Sequence, residues 1–366
     1  MNGSETSRPR RRYSYPMAPK RVYWEVTRAC PLACTACSVG AMPSRHPREL
    51  TTDEGLGLLD EIGSFSKPPP ELVMTGGDPL CREDIEVLVG HAHRLGIDVV
   101  LWVSPTGNLT RSRLEKVKAA GARAIGLALD DVSADGHDRL HAPGTFQRTM
   151  EGIAQILDVG LEVHINTLVT HESMVDVPAL YDFIKDMHIA QWNVFFLVPV
   201  KGTKSLSELN AIQAEVLMNW IYDVSRTAHF PIDVLEAPQY RRIVFQRLRE
   251  AGVPLSEIAK TPQAAQFGLR EGNGIVFVSH VGDVYPSPFF PLVAGNVRGR
   301  SLTALYRRSK LFKELRDPTR LKGNCARCQY RRICGGSRSR AYVTFNDWSV
   351  SDPLCTYEPV GVQQAF

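Results

Sequence analysis

Three cysteines stand four and three residues apart in Cys30-Pro-Leu-Ala-Cys34-Thr-Ala-Cys37, directly after a short β-like run. A loop this tight can wrap three thiols round one metal centre. A tetrahedral zinc site requires a fourth Cys or His, whereas a [4Fe–4S] cube held by three thiolates keeps one iron free for another ligand. A second group, Cys325, Cys328, Cys334 and Cys355, has the spacing CxxCx5Cx20C. Four thiols there can close either a zinc or an iron–sulfur site. Grouped cysteines of this kind are metal spacing and not a secreted disulfide framework, which places the chain in a reducing cytoplasm.

About forty residues beyond the first group comes Thr75-Gly76-Gly77-Asp78-Pro79. Glycines allow backbone to approach a ligand closely, and the carboxylate and free carbonyls can accept hydrogen bonds from an ammonium group. Cys81 lies just past this turn and reads as a small buried hydrophobe, with donation of a hydrogen atom to a substrate radical as the functional alternative. The histidines, His164 and His280 among them, show no ligand spacing, and most read as structural.

Together, CxxxCxxC and the Gly-Gly-Asp-Pro turn resemble the radical S-adenosylmethionine (SAM) superfamily, over about residues 22–357. The resemblance implies that the open iron chelates the methionine end of SAM and that the reduced [4Fe–4S] cluster cleaves it to a 5′-deoxyadenosyl radical. It implies an electron donor such as flavodoxin or ferredoxin. Gly76, Gly77, Asp78 and Pro79 match the stretch that holds the SAM amino group. Arg148, in Gly144-Thr-Phe-Gln-Arg148, matches a position from which relatives reach the SAM carboxylate, a task suited to a guanidinium fork. Asn166 is a partner for ribose or adenine, or else a structural amide. Asp130 falls in Ala128-Leu129-Asp130-Asp131, where the family often has Ser-Leu-Asp-Gly; the missing hydroxyl leaves its place to water or Ser104. Ala36 stands where an aromatic residue often stacks on adenine.

The C-terminal cysteines resemble the reduced form of the SPASM or twitch auxiliary-cluster domain, with spacing similar to enzymes that remodel tetrapyrrole side chains in haem maturation. One cysteine of the full pattern falls near Ser287, so the resemblance implies one auxiliary [4Fe–4S] cluster, fully ligated and suited to electron transfer. Arg338 and Arg340 beside it read by default as solvated surface arginines; raising the cluster potential and binding an acidic substrate are the alternatives.

Six strand-then-helix units can position these residues. Strands are expected at 22–29, 71–75, 97–103, 124–129, 161–169 and 192–199, and helices at 52–65, 82–96, 111–121, 146–159, 177–187 and 211–227. Short apolar strands alternating with amphipathic helices specify a parallel sheet with right-handed crossovers. The fold class is α/β, a partial (β/α)6 TIM-type barrel with a small C-terminal iron–sulfur domain, and function belongs at the C-terminal strand ends. The expected divisions are a flexible basic tail at 1–20, the barrel at 21–230 and the auxiliary-cluster domain at 231–366. A helix at 239–250, a hairpin over 273–285 with a Gly-Asp turn and a helix at 303–316 fill the last part.

Hydrophobic content of 43% and charged content of 22% in 366 residues describe an ordinary globular chain and exclude disorder. The longest apolar run, 194–200, is far short of the roughly 20 residues that span a bilayer. The basic run Arg8-Pro-Arg-Arg-Arg12 has no interleaved aromatics, which argues against nucleic acid. The function the resemblance implies is reductive cleavage of SAM and hydrogen abstraction from a substrate, for oxidation or decarboxylation of a tetrapyrrole or other small-molecule side chain. The alternatives are maturation of a ribosomally made peptide, which the lack of a peptide-binding extension before Val22 weakens, and a non-catalytic iron–sulfur or zinc module.

Overall fold

The computed structural model describes residues 14–200 and 202–359. The basic run at 8–12 lies outside the described residues. Residues 14–20, expected as part of a flexible tail, are instead fastened down: Lys20 N donates to Gly274 O (2.8 Å), Arg307 Nε donates to Met17 O (2.8 Å), and Ala18 is buried.

The first part of the chain alternates strand and helix: β1 (Arg21–Thr27), α1 (Thr52–Gly63), β2 (Glu71–Gly76), α2 (Ile85–Arg94), β3 (Val99–Trp102), α3 (Arg111–Ala120) and β4 (Ala124–Ala128). It continues with α4 (Ala134–Leu140), α5 (Thr145–Val159), β5 (Glu162–Val169), α6 (Val177–Ile184), β6 (Gln191–Phe196), α7 (Ala211–Ser225), β7 (Ile232–Leu235) and α8 (Gln239–Glu250). After a short α9 (Leu255–Ile258) come β8 (Arg270–Glu271), β9 (Gly274–Val278), β10 (Asp283–Tyr285) and β11 (Gly295–Asn296). Four helices end the chain: α10 (Leu302–Arg308), α11 (Lys310–Arg316), α12 (Gly323–Arg327) and α13 (Arg338–Phe345).

All strands belong to one open sheet in the order β11-β10-β9-β1-β2-β3-β4-β5-β6-β7, with β8 beside β9. From β9 to β7 the pairing is parallel throughout. The partial barrel is thus built of eight parallel strands, two more than the six units expected. The sheet runs on past residue 230, because β7 extends β6 and β9 extends β1 on its other edge.

Alternation along the strands sets the layers. Val22, Trp24 and Val26 of β1 face the helices and join the main core with Leu59, Ile62 and Leu88, while Tyr23, Val73, Val100 and Ala124 pack inside the barrel. Helix starts carry clear local signals. Thr51 caps α1 through a reciprocal box with Glu54, and Ser133 caps α4 by accepting from Gly136 N (3.1 Å). The hairpin forms as expected, with Val284 opposite Val278. The helix expected at 303–316 is two, because Ser309 is extended and its hydroxyl starts α11 by accepting from Phe312 N. β7 escapes recognition because Ile232-Asp-Val-Leu235 is short and places a charged residue inside the barrel. No helix among the described residues is long and apolar enough to cross a membrane.

Glu54 also ties α1 to the hairpin region, accepting from Arg298 Nε (2.6 Å) and Nη2 (2.9 Å). The Arg298 hydrogen bonds, then that from Thr51 N, hold its carboxyl down at about 2. Both side chains are about a third exposed, so solvent screening limits the pair. Its stabilisation is present above the ordinary carboxylate range and is lost as pH falls through about 2. Glu54→Gln is expected to lower stability at pH 7 by about 1 kcal/mol. In denaturant melts, the gap between variant and parent should close as pH falls from neutrality towards about 2; a gap that widens on acidification contradicts this account.

Candidate active site

The strand C-termini converge on one cavity of about 630 Å³. Its walls include Glu25 from β1, Thr75 and Gly76 from β2, Trp102 from β3, Asp130 just past β4, Asn166 from β5 and Phe195 from β6. The cysteine loop leaves β1 and forms part of the rim through Ala36, Ser38 and Val39. Backbone bonds pin it at several points. Cys30 N donates to Met42 O (2.8 Å), Met42 N to Arg28 O (2.8 Å) and Ala36 N to Leu140 O (2.9 Å). The turn after β6 also presses on it: a Cβ at Gly202 would meet Cys37 O at 2.1 Å.

Cys30 is buried and Cys34 and Cys37 are half-buried, all as free thiols. Burial, with Asp78 and Cys34 nearby, pushes the Cys30 thiol up, a disfavour that a cationic iron centre reverses. Three unpaired sulfurs on one pinned loop at the mouth of a cavity fit a three-thiolate cluster.

Gly76 and Gly77 serve a close approach, but to protein. Gly76 has φ +138°, and a Cβ there would lie 2.0 Å from Thr27 O; one at Gly77 would lie 2.5 Å from Ala29 O. Gly77 N and Asp78 N donate to Thr27 O (2.9 Å) and Ala29 O (2.8 Å), so the glycines lock the end of β2 to the start of the cysteine loop. Asp78 is fully buried, and its carboxylate accepts from Thr106 Oγ1 (2.6 Å) and Leu80 N (3.1 Å). The carboxylate expected to meet an ammonium group therefore braces the turn. Pro79 begins a buried 3-10 turn, and Ser104 donates to Gly77 O (2.9 Å). Thr75 and Gly76 are the part of this stretch that reaches the cavity wall.

Asp130 and Asn166 are brought together as expected. Asp130 accepts from Leu168 N (2.6 Å) and meets His141 Nε2 (2.5 Å), while Asn166 Oδ1 accepts from Asn193 Nδ2 (2.7 Å). Arg148 is not brought in: it is exposed on α5 and donates to Pro143 O (3.3 Å) at that helix's own start. Cys81 does not line the cavity; burial, with Asp78 and Cys30 nearby, pushes its thiol up to about 12, and Asn108 donates to its sulfur (3.2 Å).

His141 and His137 contradict the expectation that no histidines have ligand spacing. They sit four apart on and just after α4, stacked with ring centroids 4.4 Å apart, around Asp130. Burial opposes charge on His141, yet hydrogen bonds to Asp130 and then Cys34 raise it to about 10; burial lowers His137 to about 4. The i, i+4 spacing is the signal that could have exposed them.

The four C-terminal cysteines line a second, smaller recess together with Arg242, Tyr330, Gly335, Gly336 and Tyr357. Gly336 N points at Cys334 Sγ (3.3 Å) and Arg338 Nη2 at Cys325 Sγ (3.7 Å). Burial and the neighbouring thiols push Cys334 up strongly and Cys355 up to about 11. Four thiols in one recess are the number that can fill every position of a metal site. Arg338 and Arg340 are not surface residues: both are fully buried. Arg338 donates to Trp348 O and Val350 O (2.7 Å each), and Arg340 to Glu208 Oε1 (2.7 Å), Glu236 O (2.8 Å) and Leu197 O (2.8 Å). Ser287, where a cysteine is missing, is buried against Ser339 (3.0 Å).

An open parallel barrel with a three-cysteine loop after its first strand defines a SAM-cleaving iron–sulfur enzyme. The Radical SAM superfamily model matches residues 24–184. The chain is 33% identical over 343 residues to the AdoMet-dependent heme synthase of Methanosarcina barkeri, covering 93% of this chain and 97% of that protein. It is 34% identical over 344 residues to the AdoMet-dependent heme synthase of Nitratidesulfovibrio vulgaris, covering 93% of each. Among solved structures, Streptococcus suis SuiB bound to S-adenosylmethionine has the same fold, with a TM-score of 0.71 at 17% identity over 93% of this chain and 78% of that one. The chain belongs to the radical SAM superfamily, whose members bind SAM and a [4Fe–4S] cluster.

The role given to Gly76 makes a direct prediction. Gly76→Ala places a Cβ against Thr27 O in a backbone region closed to alanine, and should destabilise the fold by about 2–4 kcal/mol. A thermal melt unchanged within error removes the β1–β2 lock from the account.

Proposed function

We propose that this enzyme decarboxylates a propionate side chain of a tetrapyrrole oxidatively. The observation that carries the reading is the cavity: its about 630 Å³ falls within the range of small-molecule sites, and its walls include Trp102, Phe195, Phe277, Tyr285 and Phe289. Such walls suit a flat, apolar macrocycle. The full-length likeness to proteins named heme synthases supports the same substrate class.

When bound, SAM and two iron–sulfur clusters, one at Cys30, Cys34 and Cys37 and one auxiliary at Cys325, Cys328, Cys334 and Cys355, supply the abstracting radical and an electron acceptor. The protein's part is to hold, orient and exclude water. Gly76 and Gly77 fix the cysteine loop against β2, and Asp130 and Asn166 present polar groups at the cavity wall. Arg340 fixes the ends of β6 and β7 to the C-terminal segment, keeping both cysteine sites on one frame. In net terms one C–H bond and the bond to the carboxyl carbon break, and a vinyl double bond forms. Carbon dioxide leaves, the hydrogen atom ends in 5′-deoxyadenosine, and one electron departs. A flavodoxin or ferredoxin is the donor class that suits the first reduction, and eight free thiols suit the cytoplasm. The segment 231–366 is the auxiliary-cluster unit in this reading.

Anaerobic reconstitution should load about eight irons per chain. With dithionite, SAM and iron-coproporphyrin III, 5′-deoxyadenosine and a vinyl product should accumulate together. Cys34→Ala should abolish 5′-deoxyadenosine formation. Cys355→Ala should keep it while losing vinyl product at least about tenfold, since the departing electron lacks its acceptor. Zinc at the C-terminal cysteines, or 5′-deoxyadenosine formed only with a peptide, refutes the proposal.

A further inference from the structure

Two guanidinium groups enter the cavity without an ion pair, although the charged Glu271 carboxylate lies in their neighbourhood. Arg241, in the first turn of α8, is 7% exposed, and Arg270, in β8, is 6% exposed; both line the cavity, and the Nε of each has no hydrogen-bond partner. Arg270 reaches only the backbone carbonyls of Gly268 (3.2 Å) and Leu315 (3.5 Å). Among the described residues, neither has a carboxylate within ion-pair distance. Neighbouring arginines are served differently: Arg242 pairs with Glu215 (2.5 Å) and Arg340 with Glu208 (2.7 Å).

A buried charge without a partner is costly, and sequences rarely keep two in one place unless something pairs them. Position makes the cost larger. Arg241 lies at the positive end of a twelve-residue helix, which disfavours a cation and favours an anion. Two protein carboxyls face the same end of the cavity, Glu236 and Glu271, each with an unpartnered Oε2. Glu271 is engaged through Oε1 by Ser337 Oγ (2.8 Å) and Ser339 N (3.0 Å). Glu236 stands just past β7 at φ +59°, with its carboxyl pushed up to about 8 by burial and by Glu271. It is therefore mostly neutral at pH 7 and offers a proton donor, not a competing anion.

We propose that Arg241 and Arg270 form an anion subsite that receives a carboxylate of the substrate, with Glu236 as an additional hydrogen-bond donor. The inference rests on the tetrapyrrole reading and adds the group by which such a substrate is held. The subsite sits at the wall shared with the second cysteine recess. Arg242, adjoining Arg241, lines that recess, and a Cβ at Gly335 would lie 3.1 Å from Arg270 Nε. A substrate held there by one carboxylate turns that end of the molecule towards the auxiliary site and the opposite end towards the Cys30 loop.

The test is equilibrium binding to the reconstituted holoenzyme, read by the Soret band, of iron-coproporphyrin III and its tetramethyl ester. The unmodified enzyme is expected to prefer the acid. Arg241→Gln and Arg270→Gln should each weaken acid binding about tenfold or more and leave ester binding unchanged, because only the charge-assisted bonds are lost. Arg241→Lys should recover part of the preference. Arg241→Gln removes no recorded side-chain hydrogen bond, so its fold should persist, which a thermal melt checks. Variants that retain the full acid preference overturn the subsite. So do variants that alter only the potential of the auxiliary cluster, which makes the arginines its counter-charge. Failure of the unmodified enzyme to bind either porphyrin sinks the tetrapyrrole reading itself, and this inference with it.

Discussion

A parallel sheet that curves through eight strands without joining its first and last to each other needs an internal tie, and Arg21 provides it. From β1 its guanidinium bonds Glu71 on β2 and reaches Asp233 on β7 (3.3 Å), across the floor of the barrel. Asp233 is held in turn by Gln266 Nε2 (2.8 Å), and Glu71 by Arg123 (2.9 Å). Burial opposes these charges, but they satisfy one another inside the barrel, where hydrogen-bonded pairing is what makes buried ions tolerable. The floor is closed by charge, and the strands diverge above it into the cavity.

What the sequence disclosed follows from how local each signal is. The CxxxCxxC loop, the Gly-Gly-Asp-Pro turn and the helices with side-chain caps are written in contiguous residues, so they could be placed before any coordinates. β7 could not, since the charge of Asp233 in its middle is met by Arg21, over two hundred residues earlier. Arg338 and Arg340 looked like solvated cations because arginine usually is; their partners are carbonyls and carboxylates from distant turns. The aim of the Asp78 carboxylate could not be read locally, because it is set by Thr106, which lies beyond the next strand. Arg148 matched a motif position while the residue stands exposed on α5, which spacing alone cannot reveal.

The C-terminal segment is part of the barrel's architecture and not merely appended to it. β9 takes the free edge of β1, α10 contacts α1 through Glu61, which caps Leu302 N, and Arg340 grips the carbonyls at the ends of β6 and β7. The recess for the second cysteine group is therefore held at a set position relative to the first cavity. That fixity matters because orientation within a site is itself a large part of catalysis.

The position of β1 between β2 and β9 has a consequence for how the protein is made. Arg21 pairs with Ile275, so the strand from whose end the loop of Cys30, Cys34 and Cys37 departs lacks one of its two neighbours until three quarters of the chain has left the ribosome. Closing a loop of that length is entropically slow. During synthesis the loop of the first three thiols hangs from an edge strand, and that strand gains its second neighbour only when the C-terminal cysteines are nearly in hand. The final setting of that loop is thereby confined to the end of translation or after it.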